Sequence, residues 1–235
     1  MGCGTGRIAL PLAELGFEVW GLDVSDEMLN EFRRKIESHE RKEELKIKLI
    51  KKNMKKFELE KKFNLIFSAG NTFLHLLTKD AQIRTLKCIS RHLSDNGVVV
   101  IDIFNPTPEK LEGSNLYRMN AFPVFYKGEK YLVYSQSKHL SKKKMIIVEK
   151  RYVKILEGME GEELRVSFQL RYIYKHELDN LMNSANLEPV EVYGDYLGNP
   201  YDSNSERIIY VAKKKISHTD KIPYVMVFNT VRSPL

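Results

Sequence analysis

Gly2, Gly4 and Gly6 alternate in the run Gly2-Cys3-Gly4-Thr5-Gly6-Arg7, and an acid, Asp23, follows seventeen positions after the last of them. Alternating glycines let a chain turn sharply from a strand into a helix, through backbone angles that side chains resist. They also bring peptide N–H groups and a helix start up to whatever lies beyond the turn. A chain that opens this way is committed to a strand–turn–helix unit with a ligand-facing loop. Only Met1 stands before Gly2, so the strand that should feed the loop is not in the sequence. The expectation is that Met1 is an internal strand-end residue, and that the functional product starts upstream or the chain is a fragment; the alternative is a non-catalytic module that completes its sheet with a partner's strand.

Apolar periodicity organises the rest. Ile8, Leu12 and Leu15 sit at near-helical spacing and stop at Gly16, a suitable C-terminal cap. Phe17 to Asp23 reads as a strand ending in an acid. Ser25 then caps a predicted helix carrying Met28, Leu29, Phe32 and Ile36 on one face. Strands are predicted near 47–50 and over 63–67, a helix over 79–93 closed by Asn96-Gly97, and a buried strand over 98–104. This alternation predicts an α/β fold with a mostly parallel, doubly wound, Rossmann-like sheet. After Asn105-Pro106 the rhythm changes. Runs at 131–137, 145–156 and 164–174 are strand-like, joined by polar turns at 141–144 and 157–162, and predict an antiparallel meander inserted into the core. A helix at 175–185 and strands near 190–193 and 207–213 return to the core. The expected organisation is a ligand-binding core at 1–106, an insertion at 107–172 that covers the site, a return at 173–215 and an unassigned tail at 216–235.

Composition narrows the class. At 235 residues the chain can bury a large core. No apolar run approaches a membrane span, and no signal pattern precedes the glycines, so neither a membrane partner nor export is expected. Cys3 and Cys88 form no ligand spacing, which predicts no metal and suits a reducing cytoplasm. The net charge of +7 invites a nucleic-acid reading. However, 26 of the 38 basic residues are lysines interleaved with glutamates, which favours a solvated surface over a groove of clustered arginines. The assembly state, a dimer included, is left open.

Two ligands fit the loop locally. Gly4-Thr5-Gly6-Arg7-Ile8-Ala9 satisfies the dinucleotide pattern, with Asp23 placed for a ribose. Gly2-Cys3-Gly4-Thr5-Gly6 resembles motif I of the class I S-adenosylmethionine (SAM) methyltransferases. Distant segments favour the second. Ser68 to Leu76 and Leu93 to Asp102 resemble paired segments of small-molecule methyltransferases, including the glycine N-methyltransferase-like and amino-sugar N,N-dimethyltransferase groups. Arg171-Tyr172-Ile173-Tyr174, Tyr193-Gly194-Asp195-Tyr196 and Ser205-Glu206-Arg207 are similar to C-terminal patterns of that superfamily. The resemblance covers roughly residues 2–213 and does not specify the methyl acceptor. No hydride-transfer motif accompanies the dinucleotide reading. Base-modifying methyltransferases often carry an Asn-Pro-Pro-Tyr-like motif after the fourth strand, where this chain has Ala69-Gly70-Asn71-Thr72, so nucleic acid is not expected.

The resemblance implies SAM as methyl donor and a small-molecule acceptor, most plausibly an amine. It implies that Gly2, Cys3, Gly4 and Gly6 cradle the methionine part, and that Asp23 accepts from both ribose hydroxyls. Val24 and Met28 would pack on adenine or ribose, and Asn53 and Met54 would flank the adenine. Ala69, Gly70 and Asn71 emerge at a strand's carboxyl end, where open α/β sheets bind ligands. Asn71 is expected to contact donor and acceptor, His75 to take a proton from an ammonium, and Tyr172 to orient the acceptor. Methyl transfer needs mainly an unprotonated amine held against the donor, so a dedicated base is not required.

Overall fold

The computed structural model describes residues 1–113, 118–156 and 158–215; the tail at 216–235 lies outside them. The glycine loop runs directly into α1 (Ala9–Glu14), with Pro11 in the first turn where its missing N–H costs nothing. Gly16, at φ 89°, ends that turn by donating to the Ala13 carbonyl. β1 (Val19–Asp23) follows. The Ser25 hydroxyl then accepts from the Met28 amide at 3.2 Å and starts α2 (Asp26–Glu37). β2 (Ile47–Lys51) lies parallel to β1, with Val19 opposite Ile47 and Asp23 opposite Lys51. These two strands form a sheet of their own.

A second sheet holds β3 (Phe63–Ser68) and β4 (Leu93–Phe104), parallel and joined by α3 (Lys79–His92). Helix α3 ends one residue earlier than the periodicity predicts. Leu93 is fully buried and extended, pairing with Phe63. Gly97 is therefore not a helix cap: it allows a close pass, since a Cβ there would stand 2.6 Å from the Phe63 carbonyl oxygen. α5 (Lys175–Ser184), β9 (Leu187–Tyr193) and β10 (Arg207–Lys214) complete this sheet in the order β3-β4-β10-β9. β10 is antiparallel to both neighbours, so the sheet is mixed rather than mostly parallel. The reason is connectivity: the β9–β10 loop turns straight back, whereas a parallel pair would need a crossover helix.

Between the halves of this core lies α4 (Pro108–Gly113) and a four-stranded antiparallel meander. Its strands are β5 (Arg118–Tyr126), β6 (Glu129–Leu140), β7 (Met145–Leu156) and β8 (Met159–Arg171). β5 and α4 were not foreseen, and β8 begins at Met159, inside the stretch expected as a turn. The meander is fastened at its base. Tyr172 N–H donates to the Lys144 carbonyl at 3.1 Å, Arg171 bonds Gln82 at 3.1 Å, and Lys144 pairs with Glu177 at 2.8 Å.

The main core joins α3, α5 and the mixed sheet around Leu86, Ile89, Ile101, Leu178 and Tyr210. A smaller cluster under the glycine loop contains Ala9, Ala13, Val19 and Phe32. Phe32 is fully buried, and its ring lies where a Cβ on Gly6 would stand. Gly6 also has φ 84°. Both the ring and the angle demand glycine here. Gly6→Ala is expected to cost about 2–4 kcal/mol, combining overpacking with left-handed strain. Urea denaturation of the two proteins checks this, and Gly6→Ala combined with Phe32→Leu should recover only the packing part.

Candidate functional site

The glycine loop and the carboxyl end of β1 are tied together by one carboxylate. Asp23 Oδ2 accepts from Gly4 N–H at 2.8 Å; Oδ1 accepts from Val24 N–H at 2.7 Å and Ser25 N–H at 3.0 Å. A carboxylate offers about four acceptor positions, so three protein donors leave one for a ligand. This modifies the expected pair of ribose contacts: Asp23 has one acceptor position left, on the oxygen shared with the loop. Gly2, Gly4 and Gly6 all have positive φ, at 60°, 54° and 84°. A Cβ on Gly4 would meet nothing within 4 Å, so this glycine faces open space, as a cradle for a ligand should.

A pocket of about 350 Å³ lies beside Asp23. Gly2, Asp23, Val24, Asn53, Met54 and His75 of the expected site line it. So do Lys52, Leu76 and Thr78, which were not foreseen. Their signal was weak, because Lys52 follows a short strand and Leu76 and Thr78 belong to a short turn of helix with its flank. Asn53 spends its Oδ1 on the Lys55 amide at 3.0 Å, closing a local turn, and meets the pocket from that turn. The His75 ring lies 5.4 Å from the ring of Phe168 on β8. Burial lowers the His75 pKa below its ordinary value of 6.5, so the imidazole is neutral at neutral pH.

A second cavity, of about 730 Å³, extends under the loop between β1 and β3; Cys3, Gly4, Ala69 and Gly70 reach it. Cys3 is a packing residue there. Its N–H donates to the Leu22 carbonyl at 3.1 Å, its thiol packs toward Gly21, and burial, with Asp23 adding, pushes the thiol pKa up to about 11. It is thus neither a thiolate nor a polar ligand group. Met28 lies on α2, 45% exposed, outside the residues lining either cavity.

Above β3 and β4 a buried polar cluster sets the next loop. Asp102, 4% exposed, accepts from Gly70 N–H at 2.8 Å and Tyr196 O–H at 3.0 Å on one oxygen, and from Arg207 Nε at 2.5 Å on the other. Arg207 also reaches Asn71 Oδ1 at 3.3 Å, which accepts from Phe104 N–H at 2.8 Å as well. The Asn71 oxygen is therefore committed within the protein, and the group left for a ligand is its amide nitrogen, a donor. A donor suits a carboxylate or the lone pair of an unprotonated amine. Asn71 adopts φ 69°, a left-handed angle that asparagine tolerates better than most residues. Asp102, Tyr196 and Arg207 all fell in segments the sequence singled out, yet nothing in the sequence showed that they meet.

Tyr172 is not a site residue. It is 3% exposed, packs with Leu111, Ile146 and Tyr174, and engages His139 Nε2 at 3.1 Å through its hydroxyl. It lines neither cavity. It secures the base of the meander where the chain returns to the core. Asp195 likewise turns inward on its own loop, accepting from Leu197 and Asn199.

Comparison with known proteins agrees with this geometry. Residues 1–97 match the family model described as a methyltransferase domain. Over 217 residues the chain is 22% identical to a Bacillus subtilis (strain 168) protein that carries a methyltransferase name, YqeM, covering 91% of this chain and 82% of that one. The CcbJ methyltransferase of Streptomyces caelestis is 28% identical, with a TM-score of 0.72 over 92% of this chain and 82% of its own. SAM-bound CalS10, an amino pentose methyltransferase from Micromonospora echinaspora, is 21% identical, with a TM-score of 0.67 over 91% and 81%. Because the likeness runs over 92% of this chain, it reaches well beyond the loop: residues 1–97 match a methyltransferase domain, and the fold of the chain is that of SAM-dependent methyltransferases.

Proposed function

We propose that the chain transfers a methyl group from SAM to an amine nitrogen of a small molecule. The observation that carries this reading is the pocket itself: the strand-end carboxylate of Asp23, Gly2 of the glycine loop and the neutral imidazole of His75 line one cleft. The residues fit the donor. Gly4 leaves room for close backbone approach, Asp23 keeps one acceptor position for a ribose hydroxyl, and Val24, Met54 and Leu76 offer apolar surface to an adenine. The Asn71 amide nitrogen, held in place by Phe104 and Arg207, is disposed to donate to the methionine carboxylate. When bound, SAM would supply a sulfonium-activated methyl group that an unprotonated amine could take by in-line attack, the thioether being the leaving group.

The protein's part is then to bind, orient and keep the amine unprotonated. His75 is the group suited to the last task. Desolvation disfavours its charged form, so at neutral pH the ring is neutral and offers a nitrogen lone pair, though as a weaker base than a free imidazole. CalS10, an amino pentose methyltransferase, supports a small amine acceptor at the level of analogy within one fold.

Three measurements test this. A panel of amino sugars and small primary amines, each paired with its hydroxyl analogue, should give methylated product from the amines only. Methylation of the hydroxyl analogues alone would overturn the reading. Asp23→Asn should weaken SAM binding by about tenfold to a hundredfold, because the new amide turns a donor toward the Gly4 or Val24 N–H. Titration calorimetry reads that loss, and unchanged affinity would remove Asp23 from the donor site. His75→Gln should leave SAM binding intact and reduce turnover. In the wild type the His75 contribution should be lost as pH falls through its lowered pKa, below 6.5, where the imidazole takes up a proton. A pH–rate profile with the same acid limb in both proteins would exclude it.

A further inference from the structure

Arg7 stands apart from the other arginines. Those whose side chains are described each hold a carboxylate, an amide or a thiol within hydrogen-bond distance. Arg7 is exposed and holds none among the described residues. Its Nη2 lies 3.6 Å from where a Cβ on Gly70 would stand, so the guanidinium reaches the loop that leaves β3. Tyr196 arrives at the same loop from the β9–β10 connection. Its hydroxyl and the Gly70 N–H donate to one oxygen of Asp102, at 3.0 and 2.8 Å. The Arg207 guanidinium carbon stands 5.0 Å from the Tyr196 ring centroid. The side chain is thus fixed at its hydroxyl and over its ring, yet Tyr196 is 71% exposed. A surface tyrosine ordinarily leaves its hydroxyl to water and lays its ring on the protein. This one does the reverse. Burial and Asp102 push the Tyr196 pKa up, while the charges of Arg207 and Arg7 oppose that rise, so Arg7 is within electrostatic reach of the ring. Arg207 is balanced by Asp102. The charge left without an ion pair at this corner is that of Arg7.

We propose that Arg7 and Tyr196 form a subsite for the methyl acceptor, and that this acceptor is an amine carrying a carboxylate. Arg7 pairs with the carboxylate, and the exposed ring of Tyr196 takes the flat or apolar body of the molecule. A guanidinium meets a carboxylate through two parallel N–H···O bonds. An aromatic face adds contact area with little conformational freedom to lose, and here the ring is already fixed before anything binds. One guanidinium without an ion pair suits one negative charge, so a carboxylate fits better than a phosphate dianion. A neutral amino sugar, the analogy that CalS10 offers, would leave Arg7 without a partner. The proposal rests on the methyl-transfer reading, which makes the molecule held at this corner the acceptor.

Two probe pairs test it: 2-aminobenzoate against 2-aminobenzamide, and leucine against leucinamide. Each is titrated by calorimetry into the full chain, with and without S-adenosylhomocysteine. In the wild type each acid should bind roughly tenfold more tightly than its amide, the effect of one charge-assisted contact. Arg7→Gln should bring each pair to parity, and Arg7→Lys should keep part of the preference. Tyr196→Leu should weaken 2-aminobenzoate by roughly threefold to tenfold and leave the preference for leucine over leucinamide in place. Thermal melting confirms that each variant is folded. Equal binding of acid and amide, no binding of either acid at millimolar concentration, or a preference that survives Arg7→Gln would each overturn the proposal. So would a tenfold loss of S-adenosylhomocysteine affinity in Arg7→Gln, because Arg7 would then hold the carboxylate of the donor. Methyl transfer to the same probes is read separately. An Arg7-dependent preference for the acids without methylation of any amine supports the carboxylate site and counts only against the proposed function.

Discussion

The Asp23 carboxylate is where three parts of the molecule become one site. Its two oxygens collect the amides of Gly4, Val24 and Ser25, so the glycine loop, the end of β1 and the start of α2 are held at fixed relative positions. Charge-assisted bonds to backbone amides are stronger than neutral ones, and each of these is about 3 Å or shorter. Around this knot the loop can keep three successive left-handed glycines. Gly6 then drops onto Phe32, and Gly4 is left facing open space. The ligand-facing surface is the residue of that arrangement, since the carboxylate is nearly but not wholly consumed by the protein.

A second knot does the same for the facing loop. Asp102 and Arg207 bring β4 and β10 together and, through Gly70, Asn71 and Tyr196, set the chain that leaves β3. A buried carboxylate and guanidinium are tolerated only when their hydrogen-bonding capacity is largely met. Here each partner meets the other and neighbouring polar groups. The consequence is chemical as well as structural: fixing the Asn71 oxygen as an acceptor for Phe104 turns its amide nitrogen outward as a donor. After this loop the His75 ring meets Phe168 of the meander.

Much of this was legible in the residues. Helices α1, α2, α3 and α5 and most core strands follow from apolar spacing with caps such as Ser25 and Gly16, because those signals act over three to five residues. The corrections came where a distant partner overrode a local preference. Gly97 looked like a helix stop and serves a close strand crossing. The stretch at 157–162 looked like a turn, yet β8 starts at Met159 because pairing with β7 rewards an extended chain. Lys and Glu alternating along exposed strands hid part of the meander, since edge and solvent-facing positions carry no apolar pattern.

The sequence by itself determined the loop, its acid and their ligand class, because three glycines at two-residue spacing answer a backbone requirement that no other residue meets. It also determined the alternation of helix and strand that places such a loop at a sheet edge. Only the tertiary structure decided what the neighbouring side chains do. Asp102 and Arg207 meet across 105 positions of sequence, and Tyr172 is buried by strands and loops that the local pattern around it does not name. Local preferences are written in adjacent residues. Hydrogen-bond commitments and burial are set by which distant groups arrive, and these decided that the Asn71 oxygen is taken by Phe104 and Arg207 and that Tyr172 is buried where the meander returns to the core.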